Sequence, residues 1–179
     1  MSTIFICKNN KKMEIRELKP SDAKLVLDYL CLVGGETNYL LMDSQGLGIE
    51  IEEEERILER FYNNPNILLL GCFDGDELVA VSNLSTKERE KIKHISTLGV
   101  SVKKQYWSLG IGRNLMNFMI DFAKKNEQIE ILQLEVRSDN LSAINLYKSL
   151  GFYSVGLVPK AMKIDHIYYE NLIMVLEVK

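Results

Sequence analysis

The chain has 179 residues, 46% of them hydrophobic and 26% charged, enough to close one ordinary hydrophobic core. A formal net charge of −3 provides no broad positive field, which argues against nucleic acid or anionic lipid as a partner. Three cysteines, Cys7, Cys31 and Cys72, form no C-x-x-C pair and no even set. A disulfide framework and a zinc site are therefore both unsupported, no metal is expected, and a reducing cytoplasm fits.

Residues 1–12 read as a lead-in, because their short apolar stretch precedes the lysines instead of following them, the reverse of a secretory signal. No apolar run approaches the roughly 20 residues that span a bilayer, so no membrane partner is expected. Residues 13–18 alternate as a first strand ended by Pro20, and Ser21 or Asp22 caps a helix on which Ala23, Val26, Leu27 and Leu30 recur. That helix is expected to stop at Gly34-Gly35 and to give way to a loop, residues 34–49, that serves either as a substrate wall or as a plain crossover. Residues 50–63 form an acidic helix whose Glu52 to Glu55 run reads as a solvated face, with attraction of a cationic substrate as the alternative. Strands follow at 67–73 and 77–85 around an Asp74-Gly75-Asp76 hairpin turn, then at about 92–102 after a charged turn. The period changes to helical from Gly110 to about Lys125, returns to strand at 131–137, and becomes helical again from an Asp139 or Asn140 cap to Leu150-Gly151. Strands at 152–158 and 168–178 close the chain. No repeat, linker or low-complexity segment divides this single α+β domain.

Two segments carry the chemistry. The first, Val100 to Met116, runs from a strand through a short turn into a helix that opens with Gly110-Ile111-Gly112. Glycines let backbone amides approach a phosphate, and the free amides and dipole of a helix N-terminus stabilise its charge; Arg113 adds a cation. A dinucleotide fingerprint would need a third small residue where Leu115 stands, and a P-loop would need a Gly-Lys-Ser/Thr ending. The second segment, Leu134 to Phe152, is a strand, a capped helix and a terminal glycine. With 3.6 residues per turn, Asn140 and Tyr147 return to one face.

Together these segments resemble the GNAT superfamily of acyl-CoA-dependent N-acyltransferases. The glycines of the family's Val-x-Pro-x-x-Arg/Gln-x-x-Gly-x-Gly/Ala motif fall at Gly110 and Gly112, after Val102, with Lys104 in place of proline and Trp107 in place of arginine or glutamine. The downstream Asn-x-x-Ala-x-x-Leu-Tyr-x-x-x-Gly-Phe motif matches at every position from Asn140 to Phe152. The resemblance covers about residues 66–158, with 13–65 as a first strand and substrate-side helices and 159–179 as a C-terminal loop and strand. It implies a central, mixed, strongly twisted sheet of about six to seven strands flanked by helices, with a splayed strand pair that holds pantetheine.

The resemblance further implies that acetyl-CoA is the cosubstrate and that acetyl passes to a primary amine of a small molecule or peptide by direct attack. Val100 and Val102 are then expected to offer main-chain groups to pantetheine. The amides of Trp107, Leu109, Gly110, Ile111, Gly112 and Arg113 hold the diphosphate, Asn140 belongs to the cosubstrate site, and Tyr147 is the general acid that protonates the departing thiolate. For the general base the residues leave two candidates, His94 at the start of the motif strand and Glu36 in the glycine-flanked loop. His166, beside Asp165, reads as structural or exposed. Loops 34–49 and 160–170 are expected to wall the amine site, and the last strands to offer a homodimer surface. A non-catalytic acyl-CoA-binding or sensing module, and a protein N-terminal acetyltransferase, stand as alternatives.

Overall fold

The computed structural model describes residues 2–179, which group into two compact units, one running through Ser85 and including Gly99–Met119, the other made of Thr86–Leu98 and Ile120–Lys179. Eight strands and four α-helices occur among the described residues.

The first unit holds β1 (Ser2–Ile6), β2 (Lys12–Glu17), β3 (Leu68–Asp74), β4 (Glu77–Thr86) and the later half of β5 (Ile95–Val102), in the order β1-β2-β3-β4-β5. The first three neighbouring pairs are antiparallel. β1 corrects the reading of residues 1–12 as a lead-in, and it brings the strand number to eight. Its side chains are almost all exposed, so it buries too little to leave a hydrophobic pattern. A turn closed by Cys7 and Lys11, with Asn10 at φ 64°, aligns it on β2 through the backbone.

Two helices of this unit, α1 (Ala23–Glu36) and α2 (Ile51–Asn63), pack together over a core that includes Leu18, Val26, Tyr29, Leu58 and Phe73. α1 runs through the Gly34-Gly35 pair where a stop was expected. A Cβ on Gly34 would lie 2.0 Å from the Asp43 carbonyl oxygen, so the glycine serves the close approach of the following loop instead of ending the helix. α2 points Leu58 inward and leaves Glu52, Glu53 and Glu55 in solvent, as a solvated acidic face should be.

Glu54 is the exception: its residue is 2% exposed and its Oε2 has no hydrogen-bond partner. Burial pushes its carboxyl up to about 7, from 4.5. Because the folded chain holds this proton more tightly than the unfolded chain, the protonated form favours folding; that stability is present below pH 4.5 and is lost as pH rises through 7. Glu54→Gln is expected to flatten the pH dependence of stability and to add up to about 3 kcal/mol at pH 8 relative to its effect at pH 4. Thermal melts of both proteins from pH 4 to 8 test this; parallel profiles would show that Glu54 does not carry the dependence.

The second unit contains the first half of β5, β6 (Ile131–Arg137), β7 (Tyr153–Ile164) and β8 (Ile167–Glu177), in the order β5-β6-β8-β7. β5 and β6 are parallel, paired at Ile95↔Ile131, Ser96↔Leu132 and Thr97↔Gln133, so the ladder occupies the beginning of each strand. The other two pairs are antiparallel. The sheet is therefore mixed, as expected. On β6, Leu132, Leu134 and Val136 are buried, and the intervening Glu135 is exposed. α3 (Ile111–Lys125) contributes its last turns and α4 (Leu141–Ser149) lies wholly here.

Residues 160–170, expected as a loop, are instead mostly the arms of a β7–β8 hairpin. Asp165 and His166 form its turn with φ 47° and 66°, a left-handed pair that usually advertises itself as Asn-Gly. Pairing is interrupted between Val158 and Met162, around Pro159, which has no N–H to give.

Candidate active site

In the first unit, β5 passes into a 3-10 turn (Lys104–Tyr106) and then into α3. Ser108 at φ 64° and Gly110 at φ 89° reverse the chain. A Cβ on Gly110 would meet nothing closer than Asn114 Nδ2 at 4.0 Å, so glycine is required there by its dihedral and not by crowding. The first i→i−4 bond at this end of α3 runs from Asn114 N–H to Gly110 O at 3.1 Å. The amides of Ile111 and Gly112 come before it, where a helix N-terminus leaves donors for a ligand.

Several contacts hold this turn. Trp107 Nε1 donates to Val102 O at 2.7 Å, so the residue that replaces arginine or glutamine in the motif ties the turn back to the strand. The Trp107 amide donates to Lys104 O at 3.2 Å and is thus already engaged, a departure from its expected role toward diphosphate. Tyr106, which nothing in the sequence marks, places its hydroxyl 3.0 Å from Asp74 Oδ2 and 2.9 Å from Glu77 Oε2, and Lys103 reaches Glu77 at 2.8 Å. Tyr29 of α1 meets Ser101 Oγ at 2.9 Å. Glu36 ends α1, and its Oε2 accepts the Lys104 N–H at 2.7 Å. That bond gives the carboxylate of this base candidate a cap-like structural task at the 3-10 turn.

In the second unit, Asn140, Tyr147, Gly151 and Phe152 of the downstream motif each have a local reason. Asn140 is the N-cap of α4, its Oδ1 accepting from Ala143 N at 3.2 Å. At the other end, Gly151 with φ 96° donates to Lys148 O, and Phe152 N donates to Tyr147 O. These are the two bonds of a Schellman motif, and the Tyr147 and Phe152 rings, 6.0 Å apart, make the apolar contact that accompanies it. The Tyr147 residue is 7% exposed, burial pushes its phenol up to about 12, and among the described residues its hydroxyl has no hydrogen-bond partner. The oxygen itself reaches the surface, where a ligand atom or water can accept its proton.

His94 is not brought to this helix. Its carbonyl accepts from Glu130 and Ile131 at the start of the β5–β6 ladder, whereas α4 follows the opposite end of β6. The length of β6, about 20 Å at strand rise, separates the two ends. His166 lies exposed in the β7–β8 turn. At the α4 end of β6, Arg137 forks onto Asp139 at 2.7 and 2.8 Å and stacks over Tyr169 at 4.0 Å. The Asp139 carboxyl is held below its usual range by that hydrogen bond. Glu135, two residues earlier, accepts from Asn171 Nδ2 at 3.3 Å. Its signal in the sequence was only its place as a polar residue in an alternating strand. Among the described residues no cluster of His, Cys, Asp and Glu could hold a metal ion, and no helix is long and apolar enough to cross a membrane.

The strand–turn–helix with its early amides and the capped helix carrying an unpartnered phenol are the two motifs of an acyl-CoA-dependent N-acyltransferase fold. The family model described as Acetyltransferase (GNAT) family matches residues 37–152, beginning upstream of the residue 66 where the resemblance was expected to start, and the chain belongs to that family. It is 34% identical over 94 residues to an N-alpha-acetyltransferase RimI of Mycobacterium tuberculosis, covering 52% of this chain and 57% of that protein. It is 30% identical over 99 residues to an L-amino acid N-acetyltransferase AaaT of Escherichia coli, covering 55% and 60%. The matches thus span less than two thirds of the length of these curated relatives. A GNAT-family acetyltransferase from Streptococcus pneumoniae superposes with a TM-score of 0.89 at 27% identity over 92% of this chain and 99% of its own. The yncA protein of Salmonella typhimurium, solved with acetyl-CoA, shares the fold with a TM-score of 0.81 at 17% identity over 93% and 94%.

Proposed function

We propose that this protein transfers the acetyl group of acetyl-CoA to a primary amine of a small molecule or peptide. The observation that carries the reading is the Tyr147 hydroxyl, the accessible tip of an otherwise buried ring on α4 and without a partner among the described residues, a donor that a ligand sulfur would satisfy. The names of the M. tuberculosis and E. coli relatives support an amine acceptor of the α-amino kind. The main chain of Val100 and Val102 meets the pantetheine arm, and the amides of Leu109, Gly110, Ile111 and Gly112, with Arg113, meet the diphosphate. Because Trp107 Nε1 already donates to Val102 O, that carbonyl keeps one lone pair for the ligand. Asn140 acts as a helix cap that sets the start of α4.

The amine nitrogen attacks the thioester carbonyl, the C–N bond forms, the C–S bond breaks, and the thiolate leaves. Tyr147 supplies the proton to sulfur, and Glu135 takes the ammonium proton. We assign Glu135 because it stands exposed on β6 near the α4 end with only the longer 3.3 Å bond from Asn171, while His94 lies at the far end of that strand and Glu36 holds the Lys104 amide at 2.7 Å. A phenol near 12 is a weaker acid than a thiol near ~8.5, so complete transfer in the resting site would be uphill by about 5 kcal/mol. The proton therefore moves late, as negative charge builds on the sulfur.

Trp107 is the one tryptophan in the sequence and is 43% exposed beside the proposed diphosphate turn, which makes its fluorescence a direct reporter. Titration with CoA is expected to give a saturable change, and incubation with acetyl-CoA and a panel of amino acids, polyamines and peptides to release thiol only when an acceptor is present. No fluorescence or calorimetric response to CoA would reject the reading. Saturable binding with no thiol release across the panel would leave a binding module in place of an enzyme.

A further inference from the structure

β1 buries little hydrophobic surface, but the turn that joins it to β2 is held beside the proposed diphosphate turn and its neighbours. Lys8 N–H donates to Leu109 O at 3.2 Å, and Lys11 Nζ reaches Asp74 Oδ2 at 2.6 Å while standing 5.7 Å from the Tyr106 ring. The acidic groups of this corner are consumed: Asp74 pairs with Lys11, and Glu77 with Lys103 at 2.8 Å. Lys8 is exposed, and among the described residues its ammonium has no anionic partner. Its backbone is one hydrogen bond away from the turn, and its four-carbon stem can carry the charge across that turn.

We infer that Lys8 is a cosubstrate-binding residue, supplying a side-chain cation to the phosphates of the CoA nucleotide from the turn between β1 and β2. The inference rests on the proposed acyl-CoA reading and adds a contact from outside both motifs. The turn's backbone amides carry no net charge, and Arg113 is the one cation already assigned to the phosphates from within the motif. A ligand with a diphosphate and a 3′-phosphate gains from a nearby unpaired ammonium, all the more at low ionic strength.

The test is calorimetric titration of CoA and dephospho-CoA into the full chain and its Lys8→Ala, Lys8→Glu and Lys8→Arg variants, at low and high salt. Lys8→Ala is expected to weaken CoA binding about 3- to 10-fold, Lys8→Glu more, and Lys8→Arg little, with the differences shrinking at high salt. A loss that persists with dephospho-CoA assigns the contact to the diphosphate; a loss that disappears assigns it to the 3′-phosphate. Wild-type affinity in both Lys8→Ala and Lys8→Glu would overturn the inference while leaving the acyl-CoA reading intact. Failure of the unsubstituted chain to bind CoA would overturn both.

Discussion

Tyr147→Phe is expected to lower turnover about 10²- to 10⁴-fold, some 3 to 5 kcal/mol of barrier, with little change in acetyl-CoA affinity and little change in melting temperature. The substitution separates two roles that one ring performs. As the Schellman contact, Tyr147 packs on Phe152 and helps end α4, and phenylalanine retains that contact. The hydroxyl contributes nothing to folding that a hydrogen bond would reveal, since it has no partner among the described residues. Loss of turnover with stability retained would therefore locate the effect in chemistry. Because the phenol lies near 12, deprotonation of this group should not produce a basic limb in the rate profile near neutrality. Turnover within about threefold of the unsubstituted chain would remove Tyr147 from the mechanism.

The second large effect is on folding. Gly34→Ala would set a methyl 2.0 Å from the Asp43 carbonyl oxygen and 2.6 Å from its carbon, both backbone atoms that cannot rotate away. The loop from Thr37 to Glu50 would have to lift off α1. Against this, alanine in a helix interior gains about 1 kcal/mol over glycine, while overpacking costs roughly 1–3 kcal/mol or more. A net loss of about 2 kcal/mol, or roughly 4–8 °C in melting temperature, is expected for a chain of this size. Gly35→Ala is the matched control, since its methyl would meet only the Ser44 Cβ at 3.3 Å and a small shift accommodates it. Equal melting temperatures for the two variants would refute the steric account.

The two motifs were legible because each is local. Asn140, Ala143, Tyr147, Gly151 and Phe152 lie within one capped helix, and the cap and Schellman bonds that select them are made inside thirteen consecutive residues. The same holds for Gly110, whose positive φ is a property of its own turn. Strands β2 to β6 were legible from period and turn chemistry, as was the acidic outer face of α2.

What stayed hidden depended on partners distant in sequence. β1 carries almost no apolar period, and its place comes from backbone pairing with β2. Gly34 looked like a helix stop because its reason, the Asp43 carbonyl, belongs to a loop whose path no pattern specifies. Glu36 and His94 both stood as base candidates in the sequence, and nothing in their spacing told that one is bonded to the Lys104 amide and the other lies at the far end of β6 from α4. By itself the amino-acid order determined the family, the mixed α+β architecture and the two short motifs, because caps, turns and periodicity act over a few residues. Only the tertiary structure decided which titratable side chains are occupied by structural bonds, which phenol is left unpartnered, and that an N-terminal hairpin abuts the glycine turn. Those outcomes follow from burial and hydrogen bonding between segments many residues apart, and such pairings leave no spacing for a sequence to display.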